Sequence, residues 1–182
     1  MGMFQIPLAH LKIKDWQDKK TKILDLYKAE KTVHKEEHII TDFHYNTKKG
    51  YDYSSEVYTI LKEEIDSFTS KMGLVNYFVR NSWMEISKDD MDHKVHNHGA
   101  LGFSSVCFVE YNEKIHKPTH FISPFGDYET GSLIYFIPPN IGEGSLIFFP
   151  SSINHFTVPS RSDKERIILS FNLNKKKENV YD

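Results

Sequence analysis

A chain of 182 residues with 39% hydrophobic and 26% charged residues, and only 9 Gly and 7 Pro, has the composition of one ordinary globular domain spanning 1–182. It is too short for two full enzyme domains and too rich in apolar residues to be disordered or collagenous. Lys plus Arg number 23 against 25 Asp plus Glu, so the formal charge of -2 gives no cationic surface for nucleic acid, and the single Cys107 excludes an internal disulfide or a Cys-based zinc site.

The N-terminus has neither a basic n-region nor a clean apolar h-region, and Ile6 stands where a myristoylation signal requires Ser or Thr. The longest apolar run, Leu133 to Ile137, is strand-sized, so no membrane association is expected and the chain reads as cytoplasmic. Helical period predicts a helix over Asp15–Glu30, with Trp16, Ile23, Leu24 and Tyr27 on one stripe. A second covers Ser54–Met72, with Val57, Ile60, Leu61, Ile65 and Phe68 inward, Ser54 and Ser55 available as caps and Gly73 placed for a left-handed C-cap. The charged stretch Lys31–Tyr53 between them reads as a loop. From Asn76 the texture changes to short β-branched and aromatic runs: Tyr77–Ser87, Leu101–Tyr111, His120–Phe125, Ser132–Ile137, Ser145–Phe149 and Arg166–Leu173. Strands at this spacing without helices between them imply a mostly β chain with N-terminal helices (α+β), in which 1–75 form a helical support and 76–175 an antiparallel sandwich or barrel.

Two histidine motifs carry chemistry. His34-Lys35-Glu36-Glu37-His38 matches H-x-x-E-H, the pattern by which a zinc protease holds its metal, but the segment lacks the apolar face of a helix behind a metal site and reads as exposed histidines. In His96-Asn97-His98, residues i and i+2 of an extended chain point to one side, so both imidazoles can meet one ion; a third is available in His155, in the turn after an aromatic strand. Three ligands on one face leave the opposite positions open, as non-haem iron requires, whereas the bland reading makes each of these a hydrogen-bonded surface histidine. Eleven residues beyond His155, Arg166 opens a strand whose period of 2 puts Arg166, Ile168, Ser170 and Asn172 on one face and Ile167, Leu169 and Phe171 on the other. The polar face either meets an anionic or polar ligand or is solvated.

Taken together, Asn81-Ser82-Trp83, His96-Asn97-His98, Phe103-Ser104-Ser105-Val106, Gly144 through Ser151 with His155, and Arg166 through Asn172 resemble the iron(II)/2-oxoglutarate-dependent oxygenases of the prolyl-hydroxylase-like group, especially small members from tailed phages and marine bacteria. The resemblance covers about Asn81 to Asn172 and implies a double-stranded β-helix (jelly-roll) core. It implies Fe(2+) held by His96, His98 and His155, and 2-oxoglutarate bound through its far carboxylate by Arg166, with Ser170, Asn172 and Ser105 along the cosubstrate pocket. The activity it implies is hydroxylation of an unidentified small molecule or peptide with release of succinate and CO2. In the wider superfamily the middle ligand is usually Asp or Glu, so His98 makes the site one negative charge poorer; nearby Asp92 is the alternative carboxylate. The rival readings are a three-His cupin-like metal enzyme without 2-oxoglutarate, and a non-catalytic jelly-roll binding or virion-associated protein. Trp83, Phe148 and Phe149 read as core or cavity wall, Cys107 as strand packing, and His93, His116 and His120 as histidines without a partner at ligand spacing.

Overall fold

The run Arg166-Ile-Ile-Leu-Ser-Phe-Asn alternates as a strand must, and in the computed structural model it forms part of the central strand of the larger of two antiparallel sheets. The structure describes residues 5–28, 33–35, 39–43 and 52–176, with 33–35 as backbone. In chain order the elements are β1 (Ala9–Lys12), α1 (Trp16–Leu26), β2 (Val33–Lys35), β3 (Ile39–Thr41), α2 (Ser54–Ile60), α3 (Lys62–Lys71), β4 (Tyr77–Ser87), β5 (His93–His96), β6 (Phe103–Glu110), β7 (His120–Gly126), β8 (Leu133–Phe136), β9 (Ser145–Pro150), β10 (His155–Thr157) and β11 (Arg166–Lys175). The major sheet runs β1-β9-β6-β11-β4-β3-β2 and the minor sheet β5-β10-β7-β8.

Two hydrophobic clusters follow from the alternation. On one face of the major sheet, Met84, Cys107, Val109, Leu146, Phe148, Leu169, Phe171 and Leu173 pack against Ile23 of α1 and Val57, Leu61, Ile65 and Phe68 of the α2–α3 region. On the other, Val106, Phe108, Ile147, Phe149 and Ile168 meet Phe121 of the minor sheet. The jelly roll is thus a sandwich whose major sheet is also backed by helices, so its inner strands are buried on both faces and read as nearly continuous apolar runs. Gly102, at φ +86, leads into β6; a Cβ there would fall 2.3 Å from the Leu173 carbonyl oxygen, so only glycine fits.

Several expectations are corrected. The second helix is divided at Leu61 (φ -104, ψ 21) into α2 and α3. Ser54 and Ser55 lie inside α2; Asp52 accepts from the Ser54 N–H at 3.0 Å instead, while the Ser54 hydroxyl meets Asp52 and Ser82. Gly73 has the left-handed φ of +64 expected after α3. The first 75 residues are not only helical, because β1, β2 and β3 extend both edges of the major sheet, and β2 and β3 fall within the stretch expected to be a loop. The backbone of His34 is in strand β2, not a helix, while Glu37 and His38 lie outside the described residues. No described helix is long and apolar enough to cross a membrane.

Candidate active site

Strand pairing assembles the histidines. His96 ends β5 and is the direct antiparallel partner of His155, which opens β10 and does not lie in a turn as expected. His98 follows β5, pinned by its backbone N–H to the Ser151 carbonyl at 2.9 Å, while the Asn97 amide donates to Asn154 Oδ1 at 2.9 Å. Gly99, at φ +98, lets the chain turn away immediately afterwards. The three imidazoles present ligand atoms within 4.8 Å of one another, and among the described residues no other His, Cys, Asp or Glu group does so. Asp92 is outside this group; its Oδ2 accepts from Lys94 Nζ at 3.0 Å.

Ring orientation suits a metal. His96 Nδ1 donates to the Lys94 carbonyl at 2.7 Å and His155 Nδ1 to the Ile153 carbonyl at 2.9 Å, so that in the neutral form of either ring the lone pair is on Nε2. His98 Nε2 lies 3.2 Å from His155 Nε2, about the spacing of neighbouring nitrogens that each sit about 2.0–2.2 Å from one metal. Burial, then the neighbouring His96, lowers the pKa of His98 to about 4 and of His155 to about 3, so both rings are neutral near pH 7 and ready to ligate.

Below the histidines is the inner face of the major sheet. Trp83 and Glu85 on β4 pair with Ser170 and Ile168 on β11, and Ser170 lines the chamber beside His98 and His155. Arg166 lies one pleat beyond Ile168, 2% exposed, with Cζ 5.4 Å from the Phe108 ring centre. Its Nε and Nη2 are buried without a hydrogen-bond partner. Burial pulls its pKa down to about 10, opposed by Glu85 and Tyr111, so the guanidinium remains charged at neutral pH. A buried, charged fork with two unpaired nitrogens is costly and calls for a carboxylate. The Thr119 hydroxyl, also buried and unpartnered, opens into the chamber under the histidines; nothing in its sequence context signals it. The residues present therefore fit both a divalent metal and a dicarboxylate.

Two expected pocket residues are elsewhere. Ser105 shares the helix-facing side with Cys107, and its hydroxyl donates to the Phe171 carbonyl at 3.1 Å; Ser104 takes the inner position. Asn172 is on the inner face but six residues, about 20 Å of strand, from Arg166, so one small cosubstrate cannot meet both. It donates to Asn81 Oδ1 at 2.9 Å, accepts from Ser104 at 2.7 Å, and lines an outer cleft of about 910 Å³ that reaches His96 and His98. Trp83 walls that cleft, Phe149 packs edge-on to His155 at 4.8 Å, and Phe148 belongs to the helix-side core. His93, which showed no ligand spacing, stacks on His96 at 3.9 Å and bonds Glu85. Glu85 went unnoticed because a lone Glu in a β run carries no spacing signal. Burial would raise its pKa, but the charge and hydrogen bond of His93 and the Trp83 N–H outweigh this and hold it below the usual carboxylate range.

Comparison with known proteins agrees with this architecture. The model of the family described as "Putative 2OG-Fe(II) oxygenase" matches residues 81–172. No curated protein matches the sequence. Among solved structures, a Pseudomonas putida prolyl-4-hydroxylase is similar at TM-score 0.61 and 10% identity, covering 95% of both chains. A viral collagen prolyl hydroxylase from Paramecium Bursaria Chlorella virus-1, solved as a 2OG complex, gives 0.59 and 12%, covering 93% of this chain and 96% of that one. A Trichoplax adhaerens prolyl hydroxylase in complex with a hypoxia inducible factor peptide fragment gives 0.57 and 14%, covering 92% and 83%. At these identities the structures establish the double-stranded β-helix fold, and the family match carries the chemistry. The chain belongs to the 2OG-Fe(II) oxygenases, non-haem iron enzymes that use iron(II) and 2-oxoglutarate.

Proposed function

We propose that the chain is a hydroxylase in which His96, His98 and His155 hold iron(II) through Nε2 and Arg166 forks onto the far carboxylate of 2-oxoglutarate. The observation that carries this reading is the buried Arg166 guanidinium with Nε and Nη2 unpaired, on the same strand face as the floor beneath three converging imidazoles. A three-His metal enzyme working without a dicarboxylate has no use for that group. When bound, the iron would activate dioxygen, one oxygen atom going to an unactivated C–H bond and the other to 2-oxoglutarate, which gives up two electrons as it is converted to succinate and CO2.

The chain's own part is positional. The Nδ1–carbonyl bonds of His96 and His155 fix their tautomers, and burial keeps His98 and His155 unprotonated. Phe149 and Phe121 pack against the His155 ring, which is buried from water. Arg166 sits over Phe108 in a site where its two-nitrogen fork is worth more than in water. Thr119 and Ser170 offer hydroxyls to the cosubstrate. The substrate enters the outer cleft past Trp83, Asn81 and Asn172, whose size suits a small molecule or a peptide segment. Anaerobic titration of iron(II) with and without 2-oxoglutarate tests this reading. A weak visible charge-transfer band that needs both components supports it; no band, and no succinate under air, contradicts it.

A further inference from the structure

The three imidazoles are not equally supported. His96 and His155 are each anchored by Nδ1 to a backbone carbonyl, whereas the only hydrogen bond of the His98 ring among the described residues is the one to His155. Ring contacts hold His98 instead: its plane stacks at 24° on Trp83, centroids 5.1 Å apart, and at 8° on His155, 5.0 Å apart. Trp83 is in turn fixed by its indole N–H, which donates to Glu85 Oε1 at 2.8 Å. The other oxygen of the same carboxylate accepts from His93 Nδ1 at 3.0 Å, and His93 stacks on His96 at 22°, centroids 3.9 Å apart. Trp83 and Glu85 are i and i+2 on β4, so the strand itself puts indole and carboxylate side by side under the site.

We propose that Glu85 is the positioning residue of the metal centre: one carboxylate ties down the two rings, Trp83 and His93, against which the ligands His98 and His96 are stacked. This rests on the three-His reading above. Glu85 is not in the ligand group, so it acts through the rings and by its proximity. It also places a carboxylate, paired with His93, beside a site whose three ligands carry none. Outer partners of metal-binding histidines generally matter in this way, their loss costing about 10–100-fold in affinity.

The test is titration of cobalt(II) into the metal-free full chain, followed by its visible ligand-field band. Glu85→Gln keeps the volume but loses the charge and one of the two accepting oxygens, so it cannot accept from both rings as Glu85 does. It is expected to weaken cobalt(II) about 10–100-fold and to shift the band, while the metal-free protein keeps its far-ultraviolet dichroism. Trp83→Phe keeps a ring under His98 but loses the N–H, and is expected to shift the band with a loss toward the low end of that range. Wild-type affinity and an unshifted band in Glu85→Gln would overturn the inference. Should that variant fail to fold, an unshifted band in Trp83→Phe overturns it equally. A wild-type chain that takes up no cobalt(II) removes the three-His reading itself, and this inference with it; that failure is recognised because it appears before any substitution is made.

Discussion

The two faces of β11 carry opposite kinds of burial. Toward the helices it presents Leu169, Phe171 and Leu173, all fully buried in an apolar cluster. Toward the minor sheet it presents Arg166, Ser170 and Asn172, also largely hidden from solvent but polar, with two Arg166 nitrogens unpaired. The helix side stabilises the fold. The inner side gives up stability to keep groups ready for metal, cosubstrate and substrate, a trade expected at functional sites.

Substitutions on the two faces should therefore separate stability from binding. On the helix face, Phe171→Ala should cost about 3–5 kcal/mol in denaturant titration while leaving iron(II) affinity of the folded protein unchanged. Lost metal affinity at unchanged stability would reverse the assignment of the faces.

His98→Ala should lose most iron(II) binding without comparable loss of stability, whereas His98→Asp should keep or improve it by restoring a carboxylate ligand. Full iron binding and full succinate production in His98→Ala would remove His98 from the ligand set. At Arg166 the comparison is sharpest. Arg166→Met should leave stability unchanged or raise it by about 1–3 kcal/mol, because an unpaired buried cation disappears. The same change should weaken 2-oxoglutarate by about 100-fold or more, read from isothermal titration of the iron-loaded protein. Arg166→Lys keeps the charge but not the fork, and should also bind the cosubstrate poorly. Unchanged cosubstrate affinity in either variant would end the case for Arg166.

The smallest effect lies at His116, whose ring accepts from the Asn112 N–H at Nδ1, 3.0 Å, and donates to the Lys164 carbonyl from Nε2, 3.2 Å. Burial lowers its pKa below the ordinary 6.5, so as pH falls the unfolded chain takes up the proton first. The contribution of His116 to stability is complete above pH 6.5 and declines from there down to the folded pKa. Urea midpoints measured at intervals from pH 7.5 to 5 should show this decline, reduced in His116→Gln; equal declines in both proteins would assign it to other groups.

Much of this was legible in the residues. The alternation in Arg166–Asn172 gave the two faces of β11, and the H-x-H spacing with His155 gave the cluster. What was not legible depends on pairing rather than pattern. His93–His96 and His155–Thr157 are polar strands of four and three residues, defined by bonding to each other, and Ala9–Lys12 is a strand because it meets Leu146 and its neighbours on β9. Parity within Phe103–Val106 decides that Ser104 faces inward and Ser105 does not, and a serine pair alone does not reveal it. Glu85 and Thr119 matter through what surrounds them in space.

The central claim is that one iron sits among three histidines with its cosubstrate reaching Arg166, and a crystal structure of the anaerobic iron(II)–2-oxoglutarate complex tests it most directly. The account predicts an anomalous iron peak about 2.0–2.3 Å from Nε2 of His96, His98 and His155, with the far carboxylate paired to Nε and Nη2 of Arg166. Iron bound elsewhere, or a carboxylate that leaves Arg166 unpaired, would contradict it.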